Sequence, residues 1–96
     1  MSMKELYLAE FNQSSWDSFV RLFEKSYLHV DPIWAECAEQ RGIPADISKA
    51  ILCEMGEYAL RWIDMNVPAL GDESPASYLE NGDTNALRVA IMQMPR

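Results

Sequence analysis

Ninety-six residues with fifteen acidic and eight basic side chains carry a net charge of −7. That argues against an affinity built on phosphate contacts, which needs clustered Lys and Arg, disfavours an anionic membrane surface, and favours a basic partner or plain solubility. A hydrophobic share of 49% with 10% aromatic residues is too apolar for a disordered chain; it fits one small domain, with apolar surface left for a second copy or a partner to cover.

Residues 1–12 mix apolar and charged side chains without a clear period, so Leu6, Tyr7, Leu8 and Phe11 fit a short helix or an extended lead-in. The stretch lacks an apolar run long enough for a signal peptide or a membrane span, which makes a cytoplasmic location the expectation. Cys37 and Cys53 are then expected reduced, packed as small apolar side chains. Ser14 or Ser15 is the expected cap of the next helix, with Asp17 in its first turn. Trp16, Phe19, Val20, Phe23 and Tyr27 follow at three- and four-residue steps, one helical face that reads as core. Asp31-Pro32 is a cap with proline at the first helical position. Ile33, Trp34, Cys37 and Ala38 supply an apolar face, Gly42 stops that helix, and Pro44 prevents its continuation.

Residues 46–65 carry the strongest period. Ile47, Ile51, Met55, Tyr58, Trp62 and Met65 make one row, and Leu52, Gly56, Ala59 and Ile63 the next, the wide stripe of a central core helix. Gly56 either lets another helix approach or breaks the run in two. Asn66 and Pro68 end the helical run, and Gly71 can take the positive φ of a tight reversal. Ser74 and Pro75 start a short helix that Leu79 would bury. After the Asn81-Gly82 turn, Asp83 or Thr84 caps a last helix with Leu87, Ala90, Ile91 and Met94 inward and Arg88 and Val89 elsewhere. With no persistent alternating pattern, the expected fold is all-α: one domain of about five helices, a Trp-bearing central helix, a Pro/Gly loop and two short C-terminal helices.

Chemistry-bearing patterns are sparse. His29, the single histidine, sits between apolar residues and reads as structural or surface. Glu36/Glu39 and Glu54/Glu57 share helix sides but lack the Glu-x-x-His partner of a carboxylate-bridged metal site. Neither a zinc-like cluster nor a phosphate-cradling loop is present, so no catalytic, cofactor or metal residue is expected, and no enzyme. Ala38-x-x-x-Gly42-Ile43, followed by Ile47 and Ile51, echoes a helix-turn-helix. Its spacing is one residue short, and the would-be reading helix offers Asp46, Ser48 and Lys49, a single positive charge. DNA binding is therefore expected to be weak, and residues 1–45 read as a helical region with a remnant of the motif kept for packing.

The stretch from Trp62 to Leu79, WIDMNVPALGDESPASYL, resembles the toxin-binding domain of Xre/MbcA/ParS-type antitoxins. That pattern runs Ala-x-x-Trp-Leu, then Pro-x-x-Leu-Gly-Gly, then x-Pro-x-x-x-Leu. Ala59, Trp62, Pro68, Ala69, Leu70, Gly71, Pro75 and Leu79 fall in this order at closely similar spacing. Ile63 stands for the leucine and Asp72 for the second glycine, and the likeness covers about 40 residues from near Gly56 onward. The resemblance implies that residues 46–96 are a toxin-binding region of a type II toxin–antitoxin module. It implies a homodimer that neutralises a cognate toxin, commonly an NAD-consuming RES-domain enzyme, by occluding its active site. The partner-binding residues would be Pro68, Leu70, Gly71, Pro75 and Leu79 in the loop and Arg88, Met92, Met94 and Arg96 in the tail. Fold maintenance is the competing account of Gly71, Pro75 and Leu79. The competing functions are a small acidic adaptor or immunity-type protein and a DNA-binding regulator.

Overall fold

Ser2 opens the first helix. Its hydroxyl accepts the Glu5 amide at 3.2 Å while the Glu5 carboxylate accepts the Ser2 amide, a capping box that starts α1 (Met3–Glu10). The ambiguous N-terminal segment is thus a helix, in a computed structural model that describes residues 2–94.

α2 (Gln13–Arg21) is capped by Asn12, not by Ser14 or Ser15. Asn12 holds extended backbone and its side chain accepts the Ser15 amide at 2.9 Å, which puts both serines inside the first turn. The aromatic face does not run through one helix. The chain turns at Leu22 and Phe23, and a single turn of helix, α3 (Glu24–Tyr27), follows. The ring series survives the break: Trp16 stacks on Phe19 at 5.5 Å and Phe19 meets Phe23 edge-on at 5.1 Å.

Asp31 accepts the Ile33 amide and Pro32 begins α4 (Pro32–Gln40). Gly42 closes it at φ +76°, with Ile43 N–H donating to Ala38 C=O at 3.1 Å and Gly42 N–H to Glu39 C=O at 3.0 Å. Ile33, expected on the apolar face, is exposed instead. α5 (Ala45–Met55) ends where Gly56 adopts φ +63°, so the long periodic run is broken in two. A 3₁₀ turn over Gly56–Tyr58 leads into α6 (Ala59–Trp62). The break resets the helical phase: Ala59, Trp62 and Ile63 stay buried, while Tyr58 and Met65 leave the predicted row for the surface.

α7 (Pro75–Glu80) is capped by Ser74, whose hydroxyl accepts the Ser77 amide. α8 (Thr84–Gln93) follows Asp83 and is buried on more sides than its pattern suggests. Val89 is only 5% exposed, because α1 lies along one side of α8 while α2 and α7 pack against others. The core gathers Ile47, Ile51 and Leu52 of α5 with Leu87 and Ile91 of α8 around Trp16 and Tyr78. The fold is all-α; among the described residues the one extended pairing is an isolated bridge between Val67 and Glu73. Cys37 and Cys53 are free and half-buried. No helix among the described residues is long and apolar enough to cross a membrane.

Candidate protein-binding surface

The Pro/Gly stretch folds into a closed elbow. Val67 is extended, as the residue before a proline must be, and Pro68–Leu70 makes one 3₁₀ turn. Gly71 then takes φ +69° and Asp72 takes φ +62°, two consecutive left-handed residues. Asp72 is the only non-glycine residue with positive φ among those described, and aspartate tolerates that region better than most residues. The reversal lets Val67 N–H donate to Glu73 C=O at 3.0 Å and Asp72 N–H donate to Val67 C=O at 3.1 Å.

Two phenols and one ammonium hold the elbow to the body. Tyr7 of α1 donates to Ala69 C=O at 2.8 Å, and Tyr78 of α7 donates to Leu70 C=O at 3.1 Å. Burial pushes both phenols above their ordinary value, which keeps them protonated as donors. Lys4 bridges Glu73 at 3.0 Å and Asp83 at 3.2 Å, with its ammonium 4.9 Å from the Tyr78 ring centre. The hydrogen bonds it donates to those two carboxylates raise the Lys4 pKa. Neither Lys4 nor Tyr7 was marked by periodicity. The readable signal was the Ser2-x-x-Glu5 capping box, which fixes a helix and so brings both onto one side at i, i+3.

The anticipated contact residues separate by position. Pro68 and Gly71 stand exposed at the apex, beside Ala69 and Asp72. Leu70 is 1% exposed and Pro75 is buried, so both maintain the fold rather than offer a face. Leu79 is half-buried in a shallow depression of about 210 Å³ that it shares with Arg41, Ile63 and Glu80. Arg88 is committed inward: its guanidinium pairs with Asp46 of α5, bonds Asn85, and lies 5.9 Å from the Trp16 ring. Met92 and Met94 pack against the core, half-buried. Arg96 lies outside the described residues.

A second surface lies on the other side of Ile43. Tyr27, Val30, Pro32, Ala35, Ile43 and Ser48 line an open groove of about 650 Å³ between the α3–α4 segment and α5, with Leu28, Glu36 and Glu39 on its lips. Ser48 on its floor is 4% exposed, the one polar residue in the buried core, and its hydroxyl has no hydrogen-bond partner among the described residues.

The helix-turn-helix echo becomes a real helix–Gly turn–helix, α4 to α5, but α5 is mostly packed into the core. Ala45 alone of its eleven residues is exposed and the others are buried or half-buried, which leaves little of α5 to enter a major groove as a reading helix does. His29 is exposed in the turn before α4, and no three His, Cys, Asp or Glu side chains among the described residues are placed to hold a metal. No protein-family model, curated protein or solved structure matches the chain.

Proposed function

We infer that the protein is an antitoxin-like binding module that neutralises a cognate protein toxin, the Pro68–Asp72 apex entering the toxin's active-site mouth. One observation carries the reading: Asp72 stands where the resembled motif has its second glycine, and its backbone holds the left-handed conformation that glycine serves best. The apex is also preorganised. Three anchors, from Tyr7, Tyr78 and Lys4, fix it before any partner arrives, which lowers the ordering cost of binding. Steric occlusion needs only such a rigid projection and asks for no catalytic group. The surplus of acidic side chains complements a basic active-site entrance and would speed encounter with it.

Co-expression with the product of the neighbouring gene, tested first for toxicity on its own, tests this. The expected result is restored growth, a preserved NAD pool if the toxin is of RES type, and co-elution of the two proteins. A double variant, Pro68→Glu with Ala69→Glu, alters only exposed apex positions and should keep the wild-type melting curve while losing protection. Failure of the wild-type chain to relieve toxicity sinks the reading.

A further inference from the structure

We propose that the groove between the α3–α4 segment and α5 is a second docking site, whose occupant is a basic amphipathic segment of another protein. Around Ser48 on the floor the walls are apolar, from Tyr27, Val30, Ala35 and Ile43, and they take the apolar side of such a segment. Its charge follows from the lips. Glu36 and Glu39 of α4 line the edge three residues apart, both exposed, and neither forms an ion pair among the described residues. Lysine or arginine flanking an apolar anchor satisfies both features, whereas a second copy of this chain, itself at −7, brings repulsion. The apolar surface also outruns the cavity. Leu28 on the lip is 82% exposed, apolar surface outside the cavity that suits a polypeptide rather than a compact ligand. This site is separate from the elbow and stands whether or not the chain neutralises a toxin.

The test is fluorescence anisotropy with a labelled leucine–lysine amphipathic helix, against a leucine–glutamate helix with the same apolar side. The lysine helix should bind and the glutamate helix should not. Glu36→Lys with Glu39→Lys should weaken binding about tenfold, the scale of two exposed ion pairs turned repulsive. Glu57→Lys with Glu80→Lys makes the same change in net charge on exposed positions elsewhere and should leave binding near wild type. Leu28→Ser should weaken it without moving the melting curve. Backbone amide shifts should cluster between Tyr27 and Ser48. Equal losses in the two charge variants, or shifts centred elsewhere, reduce the effect to general attraction and overturn the proposal. So does equally tight binding of n-octylammonium, which assigns the groove to a small amphiphile.

Discussion

Arg88 of α8 grips Asp46 of α5 with two prongs, Nε to Oδ2 at 3.0 Å and Nη2 to Oδ1 at 3.3 Å, and the Trp16 indole N–H of α2 donates to the same carboxylate at 2.7 Å. One carboxylate therefore joins three helices far apart in the chain. An arginine in the C-terminal tail looks like a partner contact until its guanidinium is found turned inward.

This linkage predicts an acid-sensitive fold. Burial pushes the Asp46 carboxyl up, but hydrogen bonds from Arg88 and Trp16 outweigh it and hold the pKa below its ordinary 3.8. With the folded value depressed, the stabilisation is full above the ordinary carboxylate pKa and disappears as pH falls through the lower folded one. Arg88→Ala leaves a half-buried carboxylate unpaired and should cost about 2 kcal/mol at neutral pH, a fall in Tm of about 10 °C. Asp46→Asn should be destabilised at pH 7 and converge on wild type only as pH falls below 3.8 and through the lower folded value. Asp64, lowered by its Arg41 partner but more than half exposed, should matter far less when changed to Asn.

The two phenol anchors of the elbow should not be equivalent. Tyr78→Phe leaves the buried Leu70 carbonyl with only the long 3.4 Å bond from the Glu73 amide and should cost about 1–2 kcal/mol. Tyr7→Phe frees the carbonyl of exposed Ala69, which water can reach, and should cost about 0.5–1 kcal/mol. Both phenols are raised above 10.0 by burial, so their contribution is whole below pH 10 and is lost as pH rises through the higher folded values. Urea titrations of the two variants and the wild type at pH 7 and pH 11 check the order; a costlier Tyr7→Phe would contradict it.

Ser48 should be better replaced than kept. Its hydroxyl is buried without a partner, and alanine keeps the methylene while removing the unsatisfied oxygen. Ser48→Ala should raise stability by about 1 kcal/mol, measurable as a rise in the denaturation midpoint with an unchanged m-value. A fall would mean that the hydroxyl finds a partner in solution.

How much of this was readable turns on the range of each interaction. Pro32 after Asp31, the stop at Gly42 and the Ser74-Pro75 start all follow from neighbours in the chain, and each forms as expected. The helix break at Gly56 was one of two readings, decided by a positive φ that periodicity cannot reveal. The pattern turns Val89 outward and Ile33 inward, and the structure reverses both because burial depends on which helices arrive: α1 covers α8, and among the described residues Ile33 stays exposed. At the elbow the turn chemistry was legible, but its clamps were not. Tyr7 reaches across 62 residues to Ala69 and Arg88 across 42 to Asp46, separations that no local pattern encodes.

The sharpest check on the elbow is Asp72 itself. Positive φ costs an L-residue about 1 kcal/mol, less for aspartate than for others. Glycine removes that strain but adds freedom to the unfolded chain, an opposing term of about 0.4–1 kcal/mol. The two terms nearly cancel, so Asp72→Gly should stay within about 0.6 kcal/mol of wild type, although glycine usually weakens a protein. Asp72→Val places a β-branched residue in the same conformation and should destabilise by about 1–2 kcal/mol. If the elbow is also the binding apex, the glycine variant should protect against the toxin as well as wild type, and the valine variant should lose protection more than its stability alone accounts for. Equal behaviour of the two substitutions in thermal melts would show that residue 72 does not hold a left-handed backbone in solution, and the main support for the antitoxin reading would go with it.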